Sequence, residues 1–258
     1  MLIYGRTQPL AQYTVLDALD ALKRLGFDGV EVCFEAEDMR PDLIDEAKAD
    51  AVRQRLADLG FTSYSVGYHK DYTYDDAEYE RSLQAIEWAP RFGADIFVFS
   101  GAKRRTGDQA EWDLTVERTR EFVKVAEANG VTLALEFEPN FVVGTTADLL
   151  RIFEEIPSPS LAANMDLGHV FLCDPDPMQA IRDVGPKMVH GHVENMLTGI
   201  HNHRLPDDGD MDMGQYIKAV AEIGFTGGIA LDLYNEDYEQ VSPAAIAYLK
   251  GLIEQTKA

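Results

Sequence analysis

The chain has 258 residues, 46% of them hydrophobic, with 12 Phe, 11 Tyr and 2 Trp, which excludes disorder and allows one large buried core. Its formal net charge of -22 opposes attraction to nucleic acid or to an anionic membrane, so neither is expected as a partner. The two cysteines, Cys33 and Cys173, form no CxxC pair and suit a reducing cytoplasmic setting. Neither a secretory leader pattern nor an apolar run of the ~18–20 residues that a membrane helix needs is visible, so a soluble protein is expected.

Taken in chain order, apolar runs predict strands at Leu2–Gly5, Gly29–Phe34, Thr62–Gly67, Asp95–Ser100, Val131–Glu136, Leu161–Asp166, Lys187–His192 and Gly227–Leu233. Helical periodicity fills the spaces at Val15–Leu25, Asp42–Leu59, Asp75–Phe92, Gln109–Asn129, Thr146–Ile156, Pro177–Val184, Met213–Ile223 and Pro243–Thr256. Gly26, Gly60, Gly93, Gly130, Gly185 and Gly224 follow helical stretches and are expected to end them in the left-handed conformation. Strand and helix alternating eight times over this length predict an α/β fold, a (β/α)8 TIM barrel forming a single domain over 1–258. A doubly wound sheet is the alternative, but the sequence has neither GxGxxG nor GxxxxGK[ST] to serve as its nucleotide loop.

A barrel of this kind carries its chemistry at the C-terminal ends of its strands. Polar residues collect there: Glu35 after strand two, His69 and Lys70 after strand three, Ser100 and Lys103 after strand four. Strand five ends on Glu136 and Glu138, which share a phase and are not separated by pattern alone. Strand six ends on Asp166 and His169 in LAANMDLGHV, strand seven on His190, His192 and Glu194, and strand eight on Asp232. Carboxylates and an imidazole on successive strand ends form a candidate divalent-metal site.

These motifs resemble the sugar-phosphate isomerase/epimerase superfamily of xylose-isomerase-like barrels, which includes ketose 3-epimerases, hydroxypyruvate isomerases and inosose dehydratases. The resemblance starts at LGFDGVEV (Leu25–Val32) and continues through LALEFEPN, NMDLGH, HGHVEN and the HRLPDDGD to IALDLY stretch. It implies four ligands for one cation: Glu136 from LALE, Asp166 from DLGH, His192 from HVEN and, on strand eight, Asp232, where the family usually has glutamate. Glu236 is the alternative for that last position. The resemblance also implies His169 and Arg204 as substrate contacts, and His69 and Glu194 join them as candidates from their strand-end placement. Homodimers and homotetramers are common among such proteins.

Three carboxylates and one imidazole suit manganese, magnesium or cobalt, with zinc a further candidate. The expected activity is a metal-dependent isomerase or epimerase of a keto sugar or related polyol. Glu136 and Asp232 would move a proton next to a carbonyl, through a metal-bound enediolate. A dehydratase using the same first step is the alternative enzyme. A metal-free sugar-binding barrel is the non-enzymatic one, favoured by aspartate at position 232. Lys187, Arg204 and Lys218 are the basic residues near strands seven and eight, which favours an unphosphorylated substrate.

Overall fold

The computed structural model describes residues 1–257. In chain order the first half comprises β1 (Leu2–Arg6), α1 (Val15–Leu25), β2 (Gly29–Cys33), α2 (Glu46–Asp58), β3 (Tyr64–Gly67), α3 (Asp76–Phe92), β4 (Ile96–Ser100) and α4 (Gln109–Asn129). There follow β5 (Thr132–Glu136), α5 (Thr146–Glu155), β6 (Leu161–Asp166), α6 (Leu167–Cys173), α7 (Pro177–Val184) and β7 (Met188–Val193). The chain ends with β8 (Asn195–Leu197), β9 (Ile200–Arg204), α8 (Met213–Glu222), β10 (Gly228–Leu231) and α9 (Tyr238–Gln255). Strands β1 to β7 run side by side, and β10 pairs with both β7 and β1, which closes an eight-stranded parallel barrel.

The expected (β/α)8 barrel is thus the fold, and each expected strand lies in place to within three residues at either end. All six helix-ending glycines have positive φ, from 50° at Gly185 to 92° at Gly26. Helix α2 starts later than expected because Asp45 takes the cap, accepting the Lys48 N–H at 2.8 Å. Helix α9 starts earlier, at Tyr238, because Asp237 accepts the Gln240 N–H at 3.1 Å and Pro243 is carried inside the helix. Two pieces were not expected. Helix α6 follows β6 with no intervening turn, and β8 with β9 forms a separate antiparallel hairpin. Helix α6 (LGHVFLC) begins directly at the aspartate that ends β6, and the hairpin lies in the short stretch between the last two barrel strands. Among the described residues no helix is long and apolar enough to cross a membrane.

Strands β2 and β6 are buried along their whole length, as parallel strands covered on both faces must be. Register brings the site residues level with one another: Glu136 pairs with Asn164, Asn164 with His190, Asp166 with His192, and Arg6 with Glu31.

The loop after β4 is built around one carboxylate. Glu111, in the first turn of α4 and 5% exposed, accepts the backbone N–H groups of Arg105 at 2.6 Å and Gly107 at 2.7 Å, and the Tyr74 hydroxyl. Burial pushes its carboxyl up, but these donors outweigh it and bring it down to about 2. A depressed folded-state value means stabilisation that is present above the ordinary carboxylate range and lost as pH falls toward that value. Glu111→Gln is therefore expected to lower the melting temperature at pH 7, and the gap from wild type should close as pH falls from about 4 toward 2. A pH-independent gap in thermal unfolding would contradict this.

Candidate active site

The C-terminal ends of β5, β6, β7 and β10 present Glu136, Asp166, His192 and Asp232 to one point. His192 Nδ1 lies 3.1 Å from Glu136 Oε2 and 3.9 Å from Asp166 Oδ2. One ligand atom each from Asp166, His192 and Asp232 fits within 4.8 Å, as it does for Glu136, Asp166 and His169. Asp166 Oδ1 caps α6 by accepting the His169 N–H at 2.7 Å. Its Oδ2 is buried without a hydrogen-bond donor. A buried carboxylate oxygen without a donor, set among three other candidate ligands, is open to a cation.

A second polar layer supports these groups. Glu31 Oε2 lies 2.8 Å from His192 Nε2 and Glu136 Oε2 lies 3.1 Å from its Nδ1; burial opposes its charge, but these carboxylates raise His192 well above its ordinary value, so Nδ1 would give up its proton to serve as a ligand. Glu31 Oε1 accepts from Arg6 Nε at 3.0 Å, and Arg6 Nη1 donates to Asp232 Oδ1. Below, Ser65 Oγ meets His190 Nε2 at 3.0 Å and His190 Nδ1 meets Asn164 Oδ1 at 2.9 Å. Asn164 Nδ2 then donates to Glu136 Oε2 at 2.7 Å.

Five carboxylates, Glu31, Glu136, Asp166, Glu194 and Asp232, are buried here around a single buried guanidinium, Arg6. Burial alone would raise Glu136, but His192, His169 and His69 hold it well below the usual carboxylate range. Burial likewise opposes ionisation of Glu31 and Asp232, and Arg6 with His192 overrides it in both. Glu194 goes the other way: burial and the charges of Asp166 and Asp232 push it well above its ordinary value. Burial lowers His69 and His169, but adjacent carboxylates raise them to about 10 and about 9. His190 is driven down to about 3 by burial.

Above the carboxylates opens a cavity of about 620 Å³. Of the expected site residues, His69, Glu136, His169, His192 and Asp232 line it. Both ring nitrogens of His69 are engaged, Nδ1 by Glu35 and Nε2 by Glu136, each at 3.1 Å. Asp166 lies behind the wall as part of the ligand cluster. Two expected substrate contacts stand elsewhere. Glu194 is fully buried under α6, where its Oε1 accepts the Gly168 N–H at 2.9 Å. Arg204 ends β9 and turns to Asp208 in its own loop, donating from Nε to the Asp208 carbonyl at 2.9 Å. Glu236 is exposed, whereas Asp232 joins the cluster.

Arg6, Tyr234, His201 and His203 also line the cavity without having been singled out. His201 and His203 share a face of β9 through period-two alternation in IHNH, which was the available signal. Their Nε2 atoms are 2.8 Å apart, and His201 Nε2 is 2.9 Å from His169 Nε2. His203 adopts φ of 36°, unusual for a residue other than glycine.

A family model described as xylose isomerase-like TIM barrel matches residues 19–252. The chain belongs to the xylose isomerase-like TIM barrel family. Fructoselysine 3-epimerase from Shigella flexneri is 26% identical over 226 residues, covering 81% of each chain. The structure of D-psicose 3-epimerase with D-tagatose from Clostridium cellulolyticum H10 superposes with a TM-score of 0.84 at 15% identity, covering 98% of this chain and 99% of the other. A xylose isomerase-like TIM barrel protein from Mycobacterium smegmatis in complex with magnesium superposes with a TM-score of 0.77 at 20% identity, covering 100% of this chain and 98% of the other.

Within this xylose isomerase-like barrel, Arg6 supplies the buried counter-charge for two carboxylates at once. Arg6→Met is expected to lower the stability of the metal-free protein by about 3–5 kcal/mol. Added manganese should then raise the melting temperature of the variant more than that of the wild type. Equal metal-induced shifts in calorimetry would contradict the role given to Arg6.

Proposed function

We propose that this chain is a divalent-metal-dependent epimerase or isomerase of a keto sugar or related polyol. The observation that carries the reading is the set of Glu136, Asp166, His192 Nδ1 and Asp232 on adjoining strand ends, with Asp166 Oδ2 buried and lacking a donor. These four residues would hold the cation, and their hard oxygens favour manganese, magnesium or cobalt. When bound, such an ion supplies Lewis-acid polarisation of a substrate carbonyl.

The proton is handled by the protein. Glu136, kept ionised by the imidazoles around it, accepts the proton from the carbon next to the carbonyl at a carboxylate oxygen. The electron pair of that C–H bond moves into the carbonyl, giving an enediolate. Asp232 serves the other side of the substrate: Oδ1 is fixed by Arg6, while Oδ2 faces His203 Nδ1 at 3.4 Å. Asp232, ionised at rest, would first take a proton through His203 Nδ1 and then deliver it to the opposite face of the same carbon, which inverts its configuration; the two carboxyls exchange roles in the reverse direction. His69, held between Glu35 and Glu136, keeps Glu136 pointed at the reacting carbon. The named 3-epimerases among the relatives act on ketoses, which supports the same substrate class here.

Incubation with ketoses in deuterium oxide tests the reading. Wild type is expected to wash one deuterium into the carbon next to the carbonyl with no loss of water from the sugar. Glu136→Gln should slow that exchange by roughly 100-fold or more even at saturating manganese, while keeping its circular-dichroism spectrum and a weakened manganese binding. Unchanged exchange would remove Glu136 from the role, and water loss from the product would turn the reading to a dehydratase.

A further inference from the structure

Glu31 stands in the middle of β2, 0% exposed, behind the wall of the cavity. Strand β2 is hydrogen-bonded to β1 and β3, yet the Glu31 carboxylate reaches across the barrel interior to His192 on β7. Its two oxygens have separate tasks. Oε2 lies 2.8 Å from His192 Nε2, and Oε1 accepts the Arg6 Nε–H at 3.0 Å. Arg6 in turn holds Asp232, so a buried chain of charge-assisted contacts runs from the histidine on β7 to the aspartate that follows β10.

Folding alone does not ask for a carboxylate here. A buried ion pair is weak evidence of stability, and an apolar residue would suit a strand covered on both faces. The surroundings are nevertheless shaped for it. A Cβ on Gly67, in the neighbouring strand β3, would stand 2.7 Å from Glu31 Oε1 and 3.3 Å from its carboxyl carbon. Gly67 has no positive φ, so the glycine there supplies room for Glu31 rather than a special backbone conformation. His190, whose Nε2 is 3.7 Å from Glu31 Oε2, is already engaged by Ser65 and Asn164, which leaves His192 as the imidazole that Glu31 serves.

Resting on the metal-site reading above, we infer that Glu31 is a positioning residue for the cation: it fixes the ring of His192, with the hydrogen on Nε2, so that Nδ1 is turned to Glu136, Asp166 and Asp232. Glu31 itself touches neither the cation nor the substrate. A carboxylate behind a ligating histidine orients the ring and makes it a stronger donor, and its loss typically costs about 10–100-fold in metal affinity.

The probe is manganese alone, titrated into the full metal-free chain and followed by calorimetry and by loss of the free ion's paramagnetic resonance signal. Glu31→Gln is expected to weaken manganese binding about 10–100-fold with an unchanged circular-dichroism spectrum. Gly67→Ala, which keeps every ligand and every charge and only crowds Oε1, is a second route to the same loss. The deciding measurement is a double-variant cycle: with His192→Asn already present, Glu31→Gln should cost no further affinity. Undiminished binding in Glu31→Gln, or losses that add in the cycle, overturns the inference. In ketose deuterium exchange, the manganese concentration giving half the maximal rate should rise in Glu31→Gln by the same factor as the Kd, with the saturated rate close to wild type. A lower saturated rate with unchanged manganese affinity also overturns it. Wild type that takes up no manganese removes the metal reading and this role with it. The expected cycle in a protein that exchanges deuterium into no ketose leaves Glu31 in its role and removes only the epimerase reading.

Discussion

Everything at the open end of this barrel answers to one constraint, the burial of like charge. Five carboxylates taken out of water would repel one another and drive protons onto each, unless positive groups are placed among them. Arg6 meets part of that demand by reaching from β1 to Glu31 on one side and Asp232 on the other. The closing contact between β1 and β10 brings those two partners to the same guanidinium. His192 meets another part from between Glu31 and Glu136. What is left over is the bare oxygen of Asp166, and that residue of negative charge is where a cation fits.

The layer beneath explains why the ligands hold their orientation. His190 stays neutral at ordinary pH because burial disfavours its charged form, so it can act as a hydrogen-bonding link between Ser65 and Asn164 without adding charge. Asn164 in turn fixes one oxygen of Glu136. The aspartate at position 232 is anchored directly by Arg6. Side chains in this layer are set by barrel closure rather than by flexible loops, which suits groups that must keep their geometry to a fraction of an ångström.

The fold was legible because eight apolar runs alternate with helical stretches, and six of those runs follow a helix-ending glycine. Glu136, Asp166, His192 and Asp232 were legible for a related reason: each interrupts or ends such a run at the height where a barrel carries its chemistry. Glu31 was not, since in GVEVC it looks like an ordinary alternate residue of a strand. Only closure turns that face inward and shows the carboxylate meeting His192. Arg6 was hidden in the same way. Arg204 was misplaced because its choice of Asp208 over the cavity is a matter of loop geometry. Helix α6 escaped notice because a single aspartate both ends β6 and starts the helix.

That double duty of Asp166 reaches beyond this chain. One oxygen closes the first turn of α6, a contribution of about 1 kcal/mol for a typical cap, and the other points into the ligand cluster. A descendant that gave up catalysis would still lose stability by replacing the residue. Selection on folding alone would then preserve a capping side chain at this position, the glycine packed against Glu194 and the short helix behind them. A polar residue and a glycine at the end of β6 are thus in part a folding signal, and their presence in a sequence does not by itself establish catalysis.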